Sequence, residues 1–523
     1  MDRSLTGDLP ASAALLAGAS LFYLAKPVPA ALFGLLIFAC VSLLRIDLAA
    51  LAVVVFLPYF QHPKTLFGHH FPPSEWLLLV VTVAAVILAV TALVRPRLLG
   101  PRSVATGNTP TWPRLQSPQW SRVIGSPFVL PGIVFLLAAG IATLASAERH
   151  LAARALLEVV FEPMLLFVLI LLFAPADRAR LNRALAYVGM AVALMAVVPS
   201  LIAFGQLLTH QHLVSIRGAS YKRVPGPYSS PDNFGLLLDR SLPMAIAFVL
   251  APLGALTAMF ARLSDRHKGA PARAVWPAAI TRAFFAGCVL IMGIALLLTF
   301  VLGAWLGSAI AVVAMLLIAF RPGWWVAGAL AVVIVAAVVL GSGKSHSVTA
   351  GNRVAIWRSA IHMIRDHPIL GIGLDNFQHY YAPTHGDGVG PNAKDPSGQC
   401  RHGLGYMEQV ANSEPCLSHP HNEILDFWLS TGTLGLLAFA WLQIVFWRIV
   451  WRNGTTLASM PVLFGAAGAM AATLLHGLVD NSYFLVDLSA LMWVLFALAT
   501  LFASMTPAPT HPAQIGWPGA ASA

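Results

Sequence analysis

Apolar stretches of membrane-crossing length follow one another along almost the whole chain, and this constrains the fold before any motif is considered. A bilayer-crossing helix needs about 20 mostly apolar residues. Fourteen segments read this way: 11–25, 29–44, 47–60, 76–94, 128–145, 153–173, 184–207, 235–260, 283–300, 303–320, 324–341, 422–447, 461–479 and 484–505. The second and third are short and share a break at Arg45-Ile46-Asp47, so the count runs from twelve to fourteen. The sixth carries Glu158 and Glu162, which also suit a helix lying in the interface. The pattern predicts an all-α polytopic transmembrane bundle.

Composition agrees. The 523 residues are 58% hydrophobic and 10% charged, with a mean hydropathy of +0.76, whereas a soluble domain carries roughly 25% charged residues. A net charge of +11 would suit nucleic acid, but the basic residues fall in short clusters between apolar spans. That is the positive-inside pattern, and no nucleic-acid groove is implied. No Ala-x-Ala cleavage site follows the first span, which reads as uncleaved. Four cysteines exclude a disulfide scaffold and show no zinc spacing. Cys400 and Cys416 fall in one loop, where an oxidising compartment would allow them to pair.

Orientation follows from the basic loops. Segments 95–127, 174–183 and 261–282, then Arg321, then Arg448 with Arg452, hold the clusters. With fourteen spans and a cytoplasmic N-terminus, all five lie on the cytoplasmic side. Loops 61–75, 208–234 and 342–421 then lie outside, and fourteen of the seventeen histidines with them. The expected organisation is spans with short loops over 1–341, an extracytoplasmic catalytic loop over 342–421, further spans over 422–505 and a disordered Pro/Ala-rich tail over 506–523.

The chemistry-bearing residues gather where that large loop meets the bilayer. Placing Asn352 to Asp366 on a helix puts Ile356, Trp357, Ala360, Ile361, Met363 and Ile364 on one face. Arg358, His362, Arg365 and Asp366 fall opposite. Arg353 falls within the apolar face, where a guanidinium must find a counter-charge or an anion, or turn back to solvent from the first turn. Further on, His419-Pro420-His421-Asn422 stands at the mouth of an apolar span. Pro420 suits a first helical turn. A helix N-terminus favours the neutral imidazole that a general base needs and attracts an anion.

His419 and His421, with His69-His70, raise a metal site, but no neighbouring carboxylate in the sequence completes a ligand set; neither metal nor cofactor is expected. Arg217, Lys222 and Arg223 form an outer cluster against the positive-inside bias, which suits phosphate. Asp239-Arg240 and the pair Glu158/Glu162 need partners or a wet cavity inside a span, and Arg154 with Glu158 has i,i+4 spacing. Glu423, Asp426, Ser430 and Thr433 form a polar stripe that turns its helix towards protein. Asp480-Asn481 ends the thirteenth span on the outer side. Gly371-x-Gly373 lacks a dinucleotide-binding context.

Several strings resemble the O-antigen ligase family, whose wider group includes O-antigen polymerases and protein O-oligosaccharyltransferases. They are RVAIWRSAIHMIRDHPILGIGLDNF from Arg353, SHPHNEILDFWLSTGTLG from Ser418, RVPGPYSSPDN from Arg223 and HGLVDNSYFLVDL from His476. The first two look most like a branch once labelled as bicarbonate-transport-related. The resemblance implies a GT-C-like helical fold and transfer of a glycan from an undecaprenyl diphosphate carrier to a hydroxyl on a lipid or glycolipid acceptor. It implies His421 as catalytic base and Arg353 as the diphosphate ligand. Arg223, Arg217, His419, Asn422 and Asp480 are further expected substrate contacts. Relatives carry Ser-Arg-Gly where this chain has Val301-Leu302-Gly303, and Arg-Leu-Gly where it has Ser430-Thr431-Gly432. A polymerase of the same group and an anion transporter are the rival readings; the transporter would place its charges and broken helices near the bilayer midplane.

The topology is testable with single cysteines at Ser345 and Ser103. A membrane-impermeant maleimide applied to intact cells should label the first and spare the second. Equal labelling would refute the span parity.

Overall fold

The computed structural model describes residues 7–105, 116–215, 222–260, 277–320, 344–381, 404–407, 417–454, 456–457 and 460–505. Within these, eight helices are long and apolar enough to cross a membrane, and five more are apolar but shorter. The chain is a multi-pass helical membrane protein. The expected span 324–341, Arg217, Cys400, Cys416 and the tail 506–523 lie outside the described residues.

The N-terminal helices are α1 (Asp8–Leu24), α2 (Val28–Leu44) and α3 (Ile46–Phe56). The break at Arg45 is real, and its guanidinium is held by Asp8 at 2.7 Å and Asp47 at 2.9 Å. A ribbon of β1 (Lys64–Leu66) and β2 (His69–Phe71) leads to α4 (Pro73–Ala105). After α5 (Trp120–Ile124) and α6 (Val129–Ala145), α7 (Arg149–Ala155) runs through a π-helical turn, Leu156–Phe161, into α8 (Glu162–Phe173). This sixth segment is one continuous apolar crossing. Arg154, in its N-terminal part, pairs with both Glu158 and Glu75.

Next come α9 (Arg178–Thr209) and the ribbon β3 (Val214–Ser215) and β4 (Lys222–Arg223). They are followed by α10 (Pro231–Leu250) and α11 (Leu253–Met259). The expected span 235–260 is therefore two helices. Pro252 lacks the N–H that would continue the ladder and keeps Ala251 extended (φ −59°, ψ 141°), so α10 stops at Leu250. Then follow α12 (Ala278–Thr299), α13 (Leu302–Phe320), α14 (Lys344–Asp366) and α15 (Phe377–Tyr381). The last three are α16 (Glu423–Arg452), α17 (Pro461–Gly477) and α18 (Val486–Ala503). The core is built around α10, α17 and α18, where Trp493 and Phe496 are almost wholly buried.

Polar contacts sort the connections onto two faces. One gathers Asp8, Arg45, Asp47, Gln116, Arg183 and Tyr187. The other joins His62 to Pro227, Ser229 to Gln61, Glu148 to Asn376, Arg223 to Thr299, and His421 to Asp480.

On the second face, the loop after α14 is stitched into a break in α16. Gly432 (φ 69°, ψ −175°) interrupts that helix in a region that only glycine adopts readily. The freed groups find partners in the loop: Thr433 N donates to Ile369 O at 3.0 Å, and Ile372 N to Leu429 O at 2.7 Å. The Gly371-x-Gly373 string belongs here. A Cβ at Gly371 would lie 2.2 Å from Leu429 O. Gly432→Ala would add an unfavourable backbone worth about 1–3 kcal/mol to a Cβ only 2.1 Å from Ile369 O. It should lower the unfolding temperature in detergent markedly, while Gly140→Ala, in open space on α6, should leave it unchanged.

Candidate active site

The site forms where three pieces of the second face converge: the middle of α14, the segment 417–422, and the turn between α17 and α18. Arg353 is therefore not in a first turn. In α14 the sequence-derived face is largely correct. Ile356, Ala360, Met363 and Ile364 are buried and Arg358, His362, Arg365 and Asp366 exposed, whereas Ile361 is 40% exposed and Ser359 takes a buried place. Arg353 is 21% exposed, and its Nη1 is buried without a hydrogen-bond partner. Its Nη2 lies 3.9 Å from Asp480 Oδ2.

Neither Pro420 nor His421 is in the helix, contrary to the sequence-based expectation. The N-cap of α16 is Asn422, whose Oδ1 accepts from Leu425 N at 3.1 Å, a role that suits asparagine. Its Nδ2 donates to Leu478 O at 2.9 Å. Both halves of the amide expected to contact substrate are thus engaged within the protein. His421 itself is left-handed (φ 52°). Such a conformation is uncommon outside glycine, asparagine, aspartate and histidine, and it costs about 1–2 kcal/mol. Trp357 Nε1, donating to His421 O at 3.2 Å, helps to hold it.

The sequence offers no neighbouring carboxylate to complete a ligand set with the histidine pair, but the fold brings one to it. Asp480, 59 positions downstream, places Oδ1 2.6 Å from His421 Nδ1 and 3.5 Å from His419 Nε2. Nearness in the fold across such a separation leaves no local spacing to read. The ligating atoms of all three lie within 4.8 Å of one another, as in a metal centre. The 2.6 Å contact is a hydrogen-bond distance, and we read the His421–Asp480 pair as hydrogen-bonded.

Burial alone would raise the Asp480 carboxyl. The contact from His419 and the charges of Arg353, His419 and His476 outweigh it and hold the group at about 2. An ionised carboxylate only accepts, so Nδ1 of His421 carries a proton, and in the neutral ring Nε2 presents the lone pair. The arrangement can therefore take a proton at Nε2 while Asp480 fixes the tautomer and ring plane, beside a guanidinium able to hold an anion.

Other expected residues stand apart. Arg223 Nη2 donates to Asp232 Oδ1 at 2.7 Å and its Nε to Thr299 O at 2.6 Å. His69 and His70 lie on β2, away from the histidine pair; His70 Nδ1 is 2.8 Å from Thr65 Oγ1. The polar stripe of α16 does face protein: Glu423, Asp426 and Ser430 are buried. Sequence reasoning missed His476, which pairs with Asp239 inside the bundle at 2.6 Å. A lone histidine in one apolar span and an unpartnered aspartate in another were the available signal.

A sequence model described as O-antigen ligase matches residues 287–399. The matched segment contains Arg353 and ends before His419, His421 and Asp480. No curated protein matches the chain.

Because Asp480 titrates near 2, its stabilising ionised form is fully present above its unfolded value near 4 and is lost as pH falls through about 2. Asp480→Asn should therefore cut turnover at every pH between about 5 and about 9, where the native carboxylate stays charged. A loss on the order of 10²–10⁴-fold is expected if Nε2 is the proton acceptor. Recovery at either end of that window, measured as a pH–rate profile, would show that the carboxylate charge is not what matters.

Proposed function

We propose that this chain, whose residues 287–399 match a family model described as O-antigen ligase, is a membrane glycosyltransferase that moves a glycan from an undecaprenyl diphosphate carrier to an acceptor hydroxyl at the outer face of the inner membrane. The observation that carries the reading is the His421–Asp480 pair standing beside the Arg353 guanidinium, one nitrogen of which is buried and without a partner.

In this reading the acceptor hydroxyl gives its proton to His421 Nε2 as its oxygen bonds to the anomeric carbon. The bond from that carbon to the carrier oxygen breaks, and its electron pair leaves with the diphosphate. Attack opposite the leaving group inverts the anomeric centre. Arg353 holds the charge that grows on the departing oxygens, and donors aimed at developing charge are a large source of rate enhancement. Arg223, tied to Asp232, is the weaker candidate for a second cation. The apolar outer surface of the helices admits the polyprenyl tail from the side, while the polar groups face the aqueous boundary. The catalytic unit is then broader than the loop 342–421, because Asp480 comes from the turn before α18.

The test is glycan transfer from a purified undecaprenyl-diphosphate-linked donor by the full chain in nanodiscs. His421→Ala should reduce turnover by roughly 10²–10⁴-fold with donor binding nearly intact, and His419→Ala should do less. Arg353→Ala should forfeit a charge-assisted contact of about 1.5–3 kcal/mol. Lysine should rescue it poorly, lacking the bidentate fork, and Arg365→Ala on the exposed face should behave as wild type. Normal turnover by His421→Ala would refute the base assignment; normal turnover by Arg353→Ala would refute its diphosphate role.

A further inference from the structure

Beneath the His421–Asp480 pair lies a second histidine–carboxylate pair that the transfer chemistry does not use. His476 Nδ1 lies 2.6 Å from Asp239 Oδ2, and neither side chain has any exposure. Asp239 is the ninth residue of α10, about 12 Å along its axis at 1.5 Å per residue. A carboxylate at that depth is costly unless it is paired. Arg240 is also buried, with Nε 3.9 Å from Asp239 Oδ1. Glu423 and Asp487 act on Arg240 electrostatically from α16 and α18.

The second pair is joined to the first through the backbone. Val479 N and Asp480 N both donate to His476 O, at 2.9 and 3.0 Å, so the turn carrying Asp480 hangs from the residue that Asp239 holds. Asn422, next to His421, grips the same turn at Leu478 O. The packing leaves the imidazole little freedom. A Cβ at Gly303 would stand 2.6 Å from His476 Nε2, and one at Gly477 would stand 2.0 Å from Glu423 Oε2. Two glycines thus make room for the ring and for the start of α16 on either side of one helix end.

We propose that His476, clamped by Asp239, is a positioning residue of the transfer reaction: it fixes the 478–481 turn and with it the carboxylate that orients His421. The proposal rests on the base assignment above. Losing the clamp would let the end of α17 shift and swing Asp480 relative to the ring. A misplacement of about 1 Å at a reacting group can cost on the order of 10²-fold in rate, while the donor's binding contacts stay in place.

The experiment uses the full chain in nanodiscs with lipid-linked glycan extracted from the source membranes. Turnover is measured together with the rate at which diethyl pyrocarbonate modifies His421, followed by peptide mass spectrometry against His62 as internal reference. Asp239→Asn and His476→Gln should lower kcat by about 10- to 10²-fold with KM for the donor unchanged, and should alter the His421 modification rate. His476→Asn, whose amide nitrogen falls near the lost Nδ1, should restore most of both. Gly303→Ala, which presses on the same ring without removing either partner, provides an independent variant should the buried substitutions fail to fold, and should show the same kcat-only loss. Unchanged kcat, or a loss of kcat with unaltered His421 reactivity, would overturn the clamp. If His421→Ala is fully active, the base assignment falls first; if it is inactive while the His476 and Asp239 variants match wild type, only the clamp fails.

Discussion

The candidate site depends on one carboxylate that stays ionised although almost wholly buried. Asp480 is 4% exposed, yet the histidines and the arginine around it hold it near 2. An isolated buried carboxylate would neutralise itself by taking up a proton. Here the cost of desolvation is offset by groups from two other segments. His419 arrives from the loop before α16 and Arg353 from α14, with His476 adding to them from the end of α17. The carboxylate is therefore at once the structural junction of these pieces and the group that decides which imidazole nitrogen can accept a proton. Stability and chemistry share the same atoms.

Much of the fold was legible because hydrophobicity is a local property. The break at Arg45, the continuous sixth crossing and the buried stripe of α16 all follow from neighbours in the chain. Pro252 was legible too, but its weight was underestimated against the apolar run from 235 to 260. The capping role of Asn422 went unread for a related reason: a polar residue beside a candidate base invites a substrate role, whereas its spacing to Leu425 N makes it a cap. The α14 face was read well apart from Ile361, since a 100° step locates a stripe better than its edges.

The site was only half legible. His421 and Arg353 stand out because each breaks a local rule, one as a titratable ring at a span's mouth and the other as a charge on an apolar stripe. Asp480 was singled out but not joined to them, and His476 entered only as the first residue of a resembling string. Their partners are 59 and 237 positions away, and contacts across such distances are set by helix packing, which no local period encodes. The Gly371-x-Gly373 string shows the converse. Alone it suggests nothing, but against the broken turn at Gly432 it is the surface that lets a loop backbone enter a helix.

The left-handed backbone at His421 makes the direction of its ring a property of the main chain more than of a rotamer choice. In a right-handed helix the Cα–Cβ bond tilts back towards the N-terminus and the side chain lies over the preceding turn. With φ positive, that bond points elsewhere, and the ring can be presented to a turn contributed by a different pair of helices. A graft of the His-Pro-His-Asn string onto a regular helix would keep every side chain and lose the pose. What must be transplanted with this residue is a conformation, together with the Asn422 cap and the Trp357 contact that hold it.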